Sequence, residues 1–287
     1  MAVEDFIVTL LGTGVPSPTL DRFGASALVQ AGPETLLFDC GRGALQRIYQ
    51  LNVSFQDARL LFLTHLHTDH STGIPDLWLT PPVFASRGFG RSDALQVYGP
   101  VGTNHMIHHL KEAYTADKTA MTSADFINKT GYQMEPMEFA EGDAYERNGV
   151  TVSAFLVDHV NISPAYGFRV EYDGRVAVIS GDTTYSENLI KHSEGADLLI
   201  HEVAMAPENL RDLPEYVEEV LGWHTTPEQA AKIFVKAKPK LAVYTHLALF
   251  LGVTEEELIA RTTKTYKGAL EVGYDLARFE VGRDQPG

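Results

Sequence analysis

Within six residues the chain carries His65, His67, Asp69 and His70, in the run His65-Leu66-His67-Thr68-Asp69-His70. Three imidazoles and a carboxylate this close together make a metal clasp, because ring nitrogens and carboxylate oxygens are donors that suit zinc, and also manganese or iron. Residues two apart in extended backbone point to the same side, so His65 and His67 can grip one ion. Asp69 and His70 follow where the chain begins to turn, ahead of a helix expected over residues 71–79, and that turn can aim them at a second ion. Three more donors lie far along the chain: His159, Asp182 and His246. Together these are five imidazoles and two carboxylates, more than one tetrahedral site takes, so two divalent metal ions fit the set better.

The elements around these residues explain how they could meet. Residues 60–64 form a continuous apolar run that His65 follows at once, residues 150–157 stop at Asp158-His159, residues 175–180 stop at Gly181-Asp182, and residues 241–245 stop at His246. Each run reads as a buried strand delivering a His or Asp at its carboxyl end, and strand-like and helical stretches alternate as in a layered α/β fold. Ligands of open α/β sheets gather beyond the carboxyl ends of strands, so four such deliveries converge on one cleft. Asp39, at the end of a strand over residues 35–38, could hydrogen-bond a ligand histidine or cap its own turn.

Composition narrows the class. A length of 287 residues with 44% hydrophobic and 21% charged residues fits one compact domain over residues 1–287. No apolar stretch approaches the roughly 20 residues of a membrane span, and the acidic start from Met1 to Asp5 lacks a basic leader, so a cytoplasmic protein with no membrane partner is expected. Cys40 is the only cysteine, which excludes an intrachain disulfide and fits a reducing compartment. The net charge of −15 disfavours a polyanionic partner. The one basic cluster, Lys232, Lys236, Lys238 and Lys240, reads as a solvated helix end.

The run HLHTDH resembles the HxHxDH signature of the metallo-β-lactamase superfamily, and His159, Asp182 and His246 match its remaining motifs. The resemblance implies a four-layer αββα sandwich. It also implies one zinc on His65, His67 and His159, another on Asp69, His70 and His246, and Asp182 bridging them. Within the superfamily the chain is most similar to the ribonuclease Z and arylsulfatase-like branch, through Leu11-Gly12-Thr13-Gly14, Ala165-Tyr166-Gly167-Phe168, Ser180-Gly181-Asp182-Thr183, His201-Glu202 and Trp223-His224-Thr225-Thr226. In that branch a Glu and a His at the places of Glu202 and His224 are thought to act on the leaving group. His224 stands just before a helix start marked by Thr226-Pro227-Glu228-Gln229, an N-cap, a first-turn Pro and a capping-box Gln.

The expected chemistry is hydrolysis of a small phosphodiester or sulfate ester, with Asp69 or Asp182 orienting the nucleophile and His224, polarised by Glu202, serving the leaving oxygen. Typical ribonuclease Z proteins carry a tRNA-binding arm between the motifs matched by His159 and Asp182. Here residues 160–181 leave room only for strands around a Tyr172-Asp173-Gly174 turn, so tRNA 3′ processing stands as the alternative. A lactone or thioester substrate is a further alternative, and a non-enzymatic metal-binding module would need missing ligands. A homodimer is common in the branch. Trp78, Phe84, Phe89 and Phe250, with the region 81–91, are candidates for an apolar substrate wall or for core. His105, His108 and His109 read as a helix surface over residues 102–114.

Overall fold

The computed structural model describes residues 5–282 apart from 88, 125–126 and 209–212; residues 1–4, which bear on the leader, lie outside the described residues. The first sheet holds β1 (Phe6–Gly12), β2 (Ser26–Ala31), β3 (Glu34–Phe38), β4 (Leu60–Phe62), β5 (Leu95–Gly99), β6 (Met134–Glu138) and, at its edge beside the first of these, β14 (Arg278–Glu280). The second runs in sequence order from β7 (Gly142–Arg147) through β8 (Val150–Val157), β9 (Ala165–Tyr172), β10 (Arg175–Ile179), β11 (Leu198–Met205) and β12 (Leu241–Leu249) to β13 (Leu270–Val272). Both sheets follow one plan. Pairings are antiparallel from β14 through β3 and from β7 through β10, then parallel from β3 to β6 and from β10 to β13.

The helices described are α1 (Ala44–Gln50), α2 (Thr68–Ser71), α3 (Ile74–Leu79), α4 (Thr103–Ala113), α5 (Thr115–Thr122), α6 (Glu187–Ser193), α7 (Glu215–Trp223), α8 (Pro227–Ala237) and α9 (Glu255–Thr263). Side chains alternate across each strand, and the alternation sorts the core into three layers. Phe6, Val8, Leu36, Phe38, Leu60 and Phe62 of the first sheet meet Val152, Phe168, Val170, Leu198, Ile200 and Val243 of the second. The opposite parity of the first sheet, Leu37, Leu61 and Leu63, packs under α1, α3 and α4 through Ile48, Leu77 and Ile107. On the second sheet Val178, Leu199 and Tyr244 pack under α6, α8 and α9 through Leu189, Phe234 and Leu258. Three apolar interfaces between four layers make the expected αββα sandwich.

Several local expectations change. The helix read over residues 71–79 starts earlier, at Thr68, and is two short pieces, so Asp69 and His70 lie inside the first helical turn rather than before it. The break falls at Gly73, whose amide bonds Cys40 O at 2.8 Å and where a Cβ would sit 2.5 Å from Gly41 O, an approach that only glycine allows. β12 does not end at His246 but continues to Leu249, with His246 in left-handed conformation (φ 46°) at a register shift. The segment between His159 and Asp182 is the hairpin of β9 and β10, turned at Asp173 and Gly174, both with positive φ.

The capping box at Thr226 and Gln229 is present and starts α8. At the other end of this 11-residue helix, roughly 16 Å away, Lys236 meets Glu187 at 2.7 Å and Lys240, beyond it, meets Asp197 at 2.6 Å. The lysine cluster is therefore partly neutralised, and apart from Lys232 in mid-helix it lies at the far end of α8 from His224. His108 and His109 lie on the exposed face of α4 with Glu112.

Candidate metal centre

The alternation of β11 and β12 shows how the second sheet reaches the site. Leu198 and Ile200 face the first sheet, so Glu202 continues on that inner face, while His201 turns toward Phe234 of α8. On β12 the inner positions are Leu241 and Val243, so a regular strand would point residue 246 outward, toward the helices. The bulge reverses this. Glu202 pairs with Thr245 and Val203 with Leu247, leaving His246 as the extra residue. A left-handed non-glycine residue costs roughly 1–3 kcal/mol, the kind of strain that collects at functional sites.

The structure brings all seven candidate metal ligands into one cluster, six of them buried and His67 half-buried. His65 Nε2 and His67 Nδ1 lie 3.0 Å apart, and His159 Nε2 lies 3.3 Å from His67 Nδ1. Beside them His246 Nε2 lies 3.1 Å from Asp69 Oδ2, and His70 Nε2 lies 3.7 Å from the same oxygen. Asp182 Oδ2 faces both groups, at 3.2 Å from His70 Nε2, 3.3 Å from His246 Nε2, 3.8 Å from His65 Nε2 and 4.0 Å from His159 Nε2. Donors about 2.0–2.1 Å from a tetrahedral ion sit about 3.3–3.4 Å apart, and the separations here, from 3.0 to 4.0 Å, bracket that spacing. His70 Nε2 is buried without a hydrogen bond although two carboxylates face it, a nitrogen that a cation between them would satisfy.

Neighbouring polar groups fix the rings. Asp39 Oδ2 accepts from His70 Nδ1 at 2.8 Å, Asp39 Oδ1 accepts from Thr64 N at 2.8 Å, and Thr64 Oγ1 is 2.9 Å from His65 Nδ1. His159 Nδ1 donates to Trp223 O at 3.0 Å. Each bond holds one ring nitrogen and leaves the other for the cluster. Burial, reinforced by His70, holds His65 well below the ordinary imidazole range; burial also lowers His67 and His159. Burial works against a charged His70 too, but Asp182 and Asp39 outweigh it and raise that ring well above the usual range. Asp182 lies well below the carboxylate range, since His246 and His70 overcome its burial. His65, His67 and His159 thus stand as neutral imidazoles and Asp182 as an ionised carboxylate, the ligand forms, while His70 between its carboxylates holds a proton that a bound ion would displace.

Glu202 and His224 form a pair beside the cluster. Glu202 Oε2 accepts from His224 Nδ1 at 3.1 Å and Oε1 accepts from Thr225 N at 2.7 Å. The His224 ring centroid is 5.1 Å from that of His159 and 5.3 Å from that of His246, and a nitrogen of His224 falls within 4.8 Å of donors of His159 and Asp182. Burial disfavours the imidazolium, yet Glu202 beside it carries the His224 pKa to about 9.

A cavity of about 380 Å³ opens over His67, Asp69, His159, Asp182, His224 and His246. Its apolar wall is Val15, Pro16, Val220, Trp223, Ala248 and Phe250. Of the four aromatics considered from sequence only Phe250 is there. Trp78 is fully buried with Nε1 donating to Tyr132 O at 3.0 Å, Phe89 packs against Tyr49 and Phe55, and Phe84 lines a separate groove with those two. Val15, Pro16 and Trp223 were missed as wall residues; the adjacency of Trp223 to His224 was the available signal.

Two facing mixed sheets between helices, with a His- and Asp-rich cluster at their edge, define a metallo-β-lactamase-fold hydrolase. A family model described as anti-Pycsar protein Apyc1 matches residues 6–221. Ribonuclease Z of Mycobacterium bovis is 35% identical over 277 residues, covering 96% of this chain and 98% of that protein. Among solved structures, the metallo-β-lactamase-fold protein YhfI of Bacillus subtilis has a TM-score of 0.73 at 21% identity, covering 96% of this chain and 100% of its own. The short form of human tRNase Z has a TM-score of 0.68 at 24% identity, covering 96% and 98%. The chain belongs to the family that the model describes, within the ribonuclease Z-like branch of the metallo-β-lactamase-fold, metal-dependent hydrolases.

Proposed function

We propose that the protein is a phosphodiester hydrolase working with two divalent ions, zinc by preference, held by His65, His67 and His159 on one side, Asp69, His70 and His246 on the other, and Asp182 between them. The observation that carries the reading is the single oxygen Asp182 Oδ2 within 4.0 Å of four imidazole nitrogens from both groups. Ions held there would supply a water acidified toward neutrality and positive charge against the phosphoryl oxygens. Asp69 and Asp182 orient the attacking water. His224, protonated and held through Nδ1 by Glu202, donates its other ring proton to the leaving oxygen.

A small diester with an aryl or alkyl group is the favoured substrate. No Lys or Arg lines the cavity among the described residues, and the net charge is −15, both unfavourable to a long polyanion. A specific observation favours tRNA 3′ processing as the second reading. The Mycobacterium bovis protein named ribonuclease Z is matched over 98% of its own length, so it has little extra chain for an arm either, and the short β9–β10 hairpin does not discriminate. Side-by-side assay of an aryl phosphodiester, an aryl sulfate, a lactone and a precursor tRNA tests this. Preferred turnover of the phosphodiester is expected; dominant tRNA cleavage selects the second reading, and turnover of the sulfate or lactone alone refutes both.

A further inference from the structure

The loop between β1 and β2, residues 13–25, supplies Val15, Pro16 and Ser17 to the cavity over the metal cluster. Both stems of this loop end on one buried carboxylate. Asp275 Oδ1 accepts from Thr13 N at 3.0 Å and Thr13 Oγ1 at 2.9 Å; Asp275 Oδ2 accepts from Phe23 N at 2.8 Å and Arg47 Nη2 at 2.9 Å. A carboxylate offers about four lone-pair directions, and all are used. The Asp275 side chain is 4% exposed, and Arg47 lies over the Phe23 ring at 4.2 Å from its centroid. Asp275 itself lies on the crossover between β13 and β14, where the chain passes from one sheet to the other.

A second tie reinforces the first. Arg22, at the return stem, donates Nη1 to Thr13 Oγ1 at 2.6 Å and to Gly273 O at 2.8 Å, and pairs through Nη2 with Glu255 at the start of α9. Gly14 N donates to Phe23 O at 2.8 Å, closing the stems on each other. Thr13 O accepts from Leu247 N at 3.0 Å, one residue beyond His246. The Val15–Ser17 wall is therefore carried on stems tied to the sheets at several points, of which Asp275, outside the residues lining the cavity, holds both stems at once.

We infer that Asp275 is a positioning residue that holds the Val15–Ser17 wall at a fixed distance from the metal cluster and so sets which ester substituents the cavity accepts. The inference rests on the phosphodiesterase reading for its kinetic assay alone. Asp275→Asn keeps the size but replaces one acceptor oxygen by a donor, so Thr13 N, Phe23 N or Arg47 faces an NH2 group and a stem loosens.

The test compares metal-loaded wild type and Asp275→Asn on bis(p-nitrophenyl) phosphate and methyl p-nitrophenyl phosphate, which share a leaving group and differ in the retained substituent. It also measures calorimetric binding of phenylphosphonate and methylphosphonate, which needs no turnover. Expected are a KM rise and a weakening of phenylphosphonate of about tenfold, with the methyl compounds, kcat on the methyl ester and bound metal changed less than about twofold. Equal change for both members of each pair, or no change in either, overturns the inference. If wild type cleaves neither diester the phosphodiesterase reading fails, and the phosphonate pair still decides the role of Asp275. Thr13→Val, which removes the two Oγ1 bonds to Asp275 and Arg22 and keeps the bond from Thr13 N to Asp275, gives the same pattern in smaller measure if Asp275→Asn does not fold; a uniform loss in that variant marks a structural role only.

Discussion

Asp39→Asn separates the two halves of the metal cluster. The carboxylate holds Thr64 N at 2.8 Å through Oδ1 and His70 Nδ1 at 2.8 Å through Oδ2. Asp39 has φ 57°, a left-handed conformation that Asn tolerates, so the backbone is spared. An amide oxygen in the Oδ1 place keeps the bond to the buried Thr64 amide, and the NH2 group then faces His70 Nδ1. That ring nitrogen must become an acceptor, which moves the proton to Nε2, the nitrogen that faces Asp69 and Asp182. Losing one hydrogen bond to a charged group costs about 1.5–3 kcal/mol, or about 10–100-fold in metal affinity. Competition between the metal-loaded variant and a chromogenic chelator reads this directly. One of two release steps is expected to weaken by that factor, while the His65, His67 and His159 step moves much less, since Thr64 Oγ1 still neighbours His65 Nδ1. Equal weakening of both steps, or none, refutes the division of the cluster and the orienting role of Asp39.

Three further outcomes are expected. His224→Ala lowers kcat on an aryl phosphodiester by about 10²–10⁴-fold while leaving metal content unchanged; loss of metal on mass-spectrometric or atomic-absorption analysis would make His224 a ligand instead. Removal of metal lowers the melting temperature, and re-addition restores it, because binding to the folded state alone contributes roughly 2.7 kcal/mol per site at a free metal concentration 100-fold above Kd; an unchanged melting curve contradicts a preformed cluster. Glu228 joins α8 to α9 by accepting from Arg261 Nε at 2.8 Å and Nη2 at 2.9 Å, and its carboxyl lies below the usual range because burial is outweighed by that pairing. A depressed carboxyl stabilises the fold above its unfolded pKa and loses that contribution as pH falls through its folded pKa. The stability gap between wild type and Arg261→Gln, which also loses the bond from Arg261 Nη1 to Ala206 O, should therefore shrink, without vanishing, on acidification in denaturant titrations.

The ligand cluster was largely legible because it depends on local chemistry. His65 and His67 sit two apart in extended backbone, and Asp158-His159 and Gly181-Asp182 follow apolar runs that could only be buried strands. The route of His246 was not legible. Its strand runs on through Leu247 and Ala248, both apolar, and nothing in residue type announces that position 246 adopts left-handed geometry; the bulge arises from the pairing with β11, a tertiary event. The sandwich itself came from family resemblance, since periodicity gives strands and helices but not which sheet each joins. The aromatic wall was misplaced because Trp78 and Phe250 look alike in sequence, and only full burial with a hydrogen bond to Tyr132 O, or a place in the cavity wall, tells them apart. Asp39 stood between turn cap and ligand support, and its 2.8 Å contact with His70 gives it the second role.

The two ligand groups meeting at Asp182 are proposed to act as one two-metal phosphodiester-hydrolysing site. Titrating zinc into metal-free protein while following cleavage of an aryl phosphodiester tests it most directly. The rate is expected to climb until about two equivalents are bound and then level. A plateau at a single equivalent, or no cleavage at any loading, would contradict it.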